Sequence, residues 1–115
     1  MGEWRVVYYS AKVKSKIWTW PKRLAARYKR IIDTIKVKGP NIGMPITKPI
    51  GDGLFEIRVQ GKNEVGRVFF CYIIKREVFI LHGFVKKTQE IPLRELRLAQ
   101  TRMKEVKNAV RSSTT

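Results

Sequence analysis

The chain has 115 residues, 25 Lys or Arg against 9 Asp or Glu, a net charge of +16 and a hydrophobic share of 43%. That length fits one domain, and that apolar share excludes a disordered basic tail. A charge so one-sided points to a polyanionic partner: nucleic acid, an anionic membrane or an acidic protein. One cysteine, Cys71, and one histidine, His82, allow no intramolecular disulfide and no thiolate or imidazole metal cluster. No metal and no cofactor is therefore expected. Met1-Gly2-Glu3-Trp4 does not begin a signal peptide, and no apolar run approaches the roughly 20 residues of a membrane span. The expectation is a soluble, cytoplasmic protein with no membrane partner.

Trp4 to Tyr9 (WRVVYY) is rich in β-branched and aromatic residues and reads as an opening strand. Ser10 is a candidate cap for a short helix with Val13 and Ile17 four apart on one side. Trp18-Thr19-Trp20-Pro21 breaks that pattern, and Pro21 suits the start of a second helix. This helix carries an apolar stripe of Leu24, Tyr28, Ile31 and Ile35 and stops at Gly39-Pro40. Its other face holds Lys22, Arg23, Arg27, Lys29, Arg30 and Lys36, a solvated face or a polyanion contact. Asn41 to Asp52, with Gly43, Pro45, Pro49 and Gly51, reads as a loop.

A meander of three strands follows. Leu54 to Gln60 alternates, with Phe55, Ile57 and Val59 on one side and Glu56, Arg58 and Gln60 on the other. Gly61-Lys62-Asn63-Glu64 turns the chain. Arg67 to Ile74 is apolar almost throughout, as in a strand covered on both faces. After the polar break Lys75-Arg76-Glu77 comes a third strand, Val78 to Val85. Pro92 starts a last helix with the stripe Leu96, Ala99, Met103, Val106 and Val110. The expected fold is α+β: an antiparallel sheet of the N-terminal strand plus the meander, packed with two N-terminal helices and a C-terminal helix. Residues 1–111 form the single domain and 112–115 a frayed tail.

The chemistry permitted by these residues is narrow. With one histidine, cleavage by a two-histidine acid–base pair is excluded, and the scattered carboxylates show no metal-ligand spacing. Arg58, Arg67, Lys86 and Lys87 would form a phosphate site if the strands bring them together, since arginine forks grip phosphate oxygens and lysines add point charge. Such a site suits metal-free RNA cleavage, in which a positioned 2′-hydroxyl attacks its own 3′-phosphate. The residues alone lead no further than a small basic domain with a polyanion partner, or a metal-free ribonuclease.

Gly39 to Val106 resembles the HigB-type toxins of the RelE/ParE superfamily, phage-derived members included. The resemblance lies in GPNIGMP (Gly39 to Pro45), GDGLFEIR (Gly51 to Arg58), RVFF (Arg67 to Phe70) and LHGFVKKTQEIP (Leu81 to Pro92) with Glu95 three residues on. It implies a RelE-like fold and a toxin of a type II toxin–antitoxin system. Such a toxin acts as an mRNA endoribonuclease in the ribosomal A site and has a helix-turn-helix, HigA-like antitoxin partner. By position, the resemblance gives Arg58, Arg67, His82, Lys86 and Lys87 catalytic places. Lys22, Arg23, Arg27, Arg30 and Phe84 are the expected RNA contacts. Members of the family often carry Tyr where this chain has Gly66, so Phe69, Tyr72 or Phe84 is left to supply stacking. Ile91 stands where a capping Ser or Thr is usual. Two other readings keep the charge but change the function: a non-enzymatic ParE-like toxin that binds DNA gyrase, and a basic nucleic-acid-binding accessory domain.

Overall fold

A computed structural model describes residues 3–73, 76–87 and 90–113. Its elements are β1 (Arg5–Tyr8), α1 (Ala11–Trp18), α2 (Lys22–Lys38), β2 (Thr47–Gly51), β3 (Leu54–Gln60), β4 (Val65–Ile73), β5 (Glu77–Lys86) and α3 (Leu93–Ser113). Five strands form one sheet in the order β1-β5-β4-β3-β2. The fold is α+β, with α1 and α2 on one face and α3 on the other. The expected strand end at Ile74, the Lys75 part of the turn, and Thr88-Gln89 lie outside the described residues.

Two expectations about the sheet need correction. The sheet is mixed, because β1 pairs with β5 in parallel, Arg5 opposite Glu77 and Tyr8 opposite Ile80. No hairpin joins these two strands, so nothing local in the sequence sets their relative direction. The segment read as a loop also contains a strand, β2, antiparallel to β3 with Lys48 opposite Glu56. Pro49 concealed it, yet β2 is an edge strand, where a missing N–H costs the ladder nothing.

Helix α1 starts as its sequence suggests, with the Ser10 hydroxyl oxygen accepting from the Val13 N–H at 3.1 Å. Its buried residues are Val13 and Ile17. On α2 the buried stripe is Leu24, Tyr28, Ile32 and Ile35; Ile31, one position round the helix, is only partly covered. Tyr28 is wholly buried, and its hydroxyl meets that of Tyr8 at 2.9 Å, so its polar end is satisfied. Helix α3 continues through Ser112 and Ser113, which the sequence placed in a frayed tail.

The strands divide two cores. Ile57, Val59, Val68, Phe70, Val78 and Ile80 pack under α1 and α2. Leu54, Phe69, Cys71, Leu81 and Phe84 pack against Ala99 and Met103 of α3. A bulge interrupts the β4–β5 register, since Phe69 faces His82 while Phe70 faces Ile80. Leu81 is the extra residue, and it lets Leu81 and His82 both serve the α3 side.

Gly66 and Gly83 explain the unusually aromatic stretch before α2. A Cβ at Gly66 would lie 2.6 Å from Cζ3 of Trp20, and one at Gly83 would lie 2.6 Å from Cγ1 of Ile17. Trp20 and Ile17 thus rest on bare backbone where other residues would stand off the helices. Gly66→Ala is expected to cost about 1–3 kcal/mol by overpacking. A urea melt of this variant, alone and with Trp20→Leu, checks the cause, because the smaller side chain should recover part of the loss.

Candidate phosphate site

Arg58 of β3 and Arg67 of β4 are direct cross-strand partners. They share the α3 face of the sheet with Glu56, two residues before Arg58. The Arg67 Nη1 donates to Glu56 Oε2 at 2.8 Å, with Arg67 3% and Glu56 2% exposed. Two charges this far from water are tolerated because each neutralises the other, and the hydrogen bond fixes the guanidinium plane.

Above this pair lies a cavity of about 210 Å³ lined by Met44, Pro45, Lys48, Glu56, Arg58, Arg67 and Ile91. Three cations face one carboxylate there, so the cavity is positive on balance. Lys48 reaches the cavity from β2, a strand where the sequence predicts a loop. Ile91 forms part of the wall, which accounts for an apolar residue where a helix cap would be usual.

Arg58 and Pro45 also border a second groove of about 540 Å³, with Arg27, Arg30 and Ile31 of α2, Ile46, Val59 and Gln60. Here the Arg27 Nη1 donates to the Gln60 carbonyl oxygen. Lys22 and Arg23 are exposed at the start of α2. Arg58 borders both spaces.

The remaining expected residues stand apart from the cavity. His82 Nε2 is 2.8 Å from Glu95 Oε1 of α3. It borders a space of about 220 Å³ with Ser10, Lys12, Lys16 and Arg102, not the arginine cavity. Phe84, opposite Arg67 in the ladder, is only 3% exposed, and its ring packs against Phe69 and His82. A base has no face of it to stack on, which corrects its assignment as an RNA contact. Phe69 is likewise buried. Tyr72 stacks on Phe55 on the α2 side of the sheet, away from the arginines. Gly66 also faces that side, toward Trp20, so a Tyr there would not enter the cavity. Lys86 ends β5 half-buried, opposite Val65, and Lys87 follows it exposed. Cys71 is buried in the α3-side core, and burial, opposed by the charge of Lys107, pushes its thiol up to about 11. It has no thiolate character at neutral pH.

The His82–Glu95 contact is a latch between β5 and α3. Burial holds the imidazole below its ordinary 6.5, outweighing the hydrogen bond and charge of Glu95, while Lys16 and Arg102 add to the lowering. Burial pushes Glu95 up, but the His82 hydrogen bond and the charges of His82, Lys16 and Lys86 bring it below its ordinary 4.5. At neutral pH the pair is therefore a neutral imidazole donating its Nε2–H to a carboxylate, which can only accept. Among the described residues, no group of three or more His, Cys, Asp or Glu side chains is placed to hold a metal ion.

Two measurements test these pairs. Glu56→Leu alone should cost about 3–5 kcal/mol by removing the carboxylate that faces the buried Arg67 charge, whereas adding Arg67→Met should recover most of that loss in urea unfolding. For the latch, a folded-state imidazole pKa below the unfolded 6.5 means that the folded protein binds protons less readily. Stability is then full above pH 6.5 and falls as the pH drops through the folded value. Glu95 adds its own loss only below its ordinary 4.5. Urea midpoints at about pH 7.5 and 5.5 should differ more in the native chain than in His82→Gln. The single histidine makes the NMR titration unambiguous.

No curated protein matches this sequence. The archaeal RelE in the RelE–RelB complex of Pyrococcus horikoshii OT3 is similar over 77% of this chain and 99% of its own, with 18% identity and a TM-score of 0.48. The family model described as Phage derived protein Gp49-like (DUF891) matches residues 15–104. That span is most of the chain, which therefore belongs to the Gp49-like phage-derived proteins, a family of RelE-like toxins in the RelE/ParE superfamily that the sequence resembles.

Proposed function

We propose that this protein is the toxin of a two-gene toxin–antitoxin system, and that it cuts mRNA in the ribosomal A site without a metal. One observation carries the reading: Arg58 and Arg67 stand opposite each other across β3 and β4 and, with Lys48, line one small cavity. A phosphate seated there meets three cations at once, one of them held in place beforehand by Glu56. Charge that is already oriented costs no rearrangement when it meets the transition state.

The reaction would run by in-line displacement. The ribose 2′-oxygen forms a bond to phosphorus and loses its proton. The bond to the 5′-oxygen breaks and that oxygen gains a proton, leaving a 2′,3′-cyclic phosphate and a 5′-hydroxyl. Arg58 and Arg67 stabilise the charge on the non-bridging oxygens. Glu56 and Lys48, which line the same cavity, are the side chains that would take the first proton and supply the second. His82 serves this chemistry indirectly, by holding α3 and hence the cavity wall at Ile91.

A net charge of +16 suits a ribosomal cleft, where binding would be strongly salt-dependent. Lys22, Arg23, Arg27 and Arg30 on α2, with Lys86 and Lys87, would meet the RNA backbone, and a helix-turn-helix antitoxin would silence the protein. Primer extension on a reporter mRNA in a purified translation system tests the reading. Native protein should cut within A-site codons only when ribosomes are present. Arg58→Ala and Arg67→Lys should each slow cutting by about 10²- to 10³-fold. Arg58→Ala removes the more exposed arginine and leaves the Glu56–Arg67 pair in place. Intact transcripts in cells whose growth the protein arrests would refute the nuclease, and gyrase poisoning would then be the assay of choice.

A further inference from the structure

β1 pairs with β5 no further than Tyr8 opposite Ile80. After one more bond, from the Tyr9 N–H to the Ile80 carbonyl at 2.8 Å, the chain turns into α1 at Ser10. The helix then crosses β5 at Gly83, where Ile17 rests on the bare backbone. Gly83 faces α1 and His82 faces Glu95 of α3, and both line one space of about 220 Å³ with Ser10, Lys12, Lys16 and Arg102. This space therefore wraps the edge of β5, between α1 on one face of the sheet and α3 on the other.

Its charge is unbalanced. Lys12 and Lys16, four apart on one side of α1, meet Arg102 of α3, and among the described residues no carboxylate shares the lining. Glu95 and Glu105, which contact the same neighbourhood, are engaged by His82 and Tyr9. The arginine cavity sets Glu56 against its three cations; here nothing in the wall offsets them, and their mutual repulsion is relieved by an anion. Arg102 is already oriented, since its Nη1 donates to the Leu81 carbonyl at 2.8 Å and its guanidinium lies 4.7 Å over the Tyr9 ring. The fork carries further N–H donors. Ser10 accepts from the Val13 N–H through its oxygen, and a hydroxyl that accepts can still donate its hydrogen. The volume is below the usual range of whole-ligand sites, so a small group enters it. Three cations match a phosphate monoester, close to doubly charged at neutral pH, better than the single charge of a backbone diester.

We infer that the space at the edge of β5 is a second anion site, which takes a terminal phosphate, monoester or inorganic, on Lys12, Lys16 and Arg102 with the Ser10 hydroxyl as a further donor. It shares no residue with the arginine cavity and does not rest on the nuclease reading. His82 makes the site sensitive to pH. The groups that act on its imidazole are Glu95 and Arg102 from α3 and Lys16 from α1, with Lys12 in the same wall and Lys86 acting on Glu95. An anion on Lys16 and Arg102 offsets two of the charges that oppose an imidazolium. The bound anion therefore favours protonation of His82, and by reciprocity protonation favours the anion.

NMR titration of the full chain at low salt tests the site, with sulfate and inorganic phosphate as probes. Sulfate keeps its double charge across the pH range of the folded protein, so only the chain titrates. Sulfate should shift the amides of residues 10–13 and the His82 ring saturably, with half-saturation on the order of 1 mM. The imidazole pKa should rise by roughly half a unit or more, and sulfate should bind about threefold more tightly near pH 5.5 than near pH 7.5. Lys12→Gln with Lys16→Gln, both at exposed positions, should weaken binding about fivefold or more. Arg58→Ala should leave these shifts as they are. Adenosine 5′-monophosphate binding like inorganic phosphate supports a free small phosphate as the ligand. A 5′-phosphorylated trinucleotide that binds more tightly than either supports an RNA end, the same chemistry from another source. A 5′-hydroxyl trinucleotide that binds as well as its phosphorylated form overturns the monoester. No saturable shift up to about 20 mM sulfate or phosphate, or saturation indifferent to the lysine changes, overturns the site.

Discussion

The Glu56–Arg67 pair is the constraint on which both fold and site depend. Neither charge tolerates the interior alone, so burial of one requires the other on the same face at a bonding distance. That requirement selects the β3–β4 register. Slipping the two strands by one residue would turn one charge into the aliphatic core beneath α1 and α2. The same register sets Arg58 directly opposite Arg67. The interaction that specifies the sheet therefore also builds the positive cavity, and it orients an arginine before any ligand arrives.

Around that pair, each helix is fixed by a device matched to its own face. On the α1/α2 side the device is shape, with Trp20 and Ile17 lying on the bare backbone of Gly66 and Gly83. On the α3 side it is polar. The bulge at Leu81 brings His82 round to Glu95, and Arg102 donates to the Leu81 carbonyl at 2.8 Å. Tyr9 adds a hydrogen bond to Glu105 at 2.9 Å and lies beneath Arg102. These contacts hold α3 against β5, and with it the segment whose Ile91 closes the cavity. The His82–Glu95 contact and the arginine cavity share no lining residue.

Much of this was legible in the sequence, for identifiable reasons. Alternation in Leu54 to Gln60, an unbroken apolar run from Arg67 and the stripes of the helices are each set by burial, which local pattern records directly. Arg58, Arg67 and Glu56 could be placed on strands, although their meeting depended on a register that no local signal reports. Two features escaped because they are non-local. The parallel pairing of β1 joins segments far apart in the chain, and β2 is a strand only because β3 lies beside it. Lys48 was lost with β2. The resemblance to a family motif gave His82 a catalytic place, and Phe84 was expected as an RNA contact. The bulge and the cover of α3 make one a latch and the other a core ring.

The acidic residues complete the picture. Among the described residues, Asp33 pairs with Lys29, Glu56 with Arg67, Glu77 with Arg5, Glu95 with His82 and Glu105 with Tyr9. Those on the surface stabilise little, but Glu56 and Glu95 sit where a carboxylate organises neighbouring elements. Glu56 is buried and Glu95 half-buried, whereas Asp33 and Glu105 are exposed, as are Lys22, Arg23, Arg27 and Arg30 of α2. Self-repulsion among so many cations destabilises the isolated chain, and any anionic partner relieves it. The two spaces differ locally: the arginine cavity gathers Lys48, Arg58 and Arg67 beside Met44, Pro45 and Ile91, and the groove sets Arg27 and Arg30 over Ile31, Ile46 and Val59.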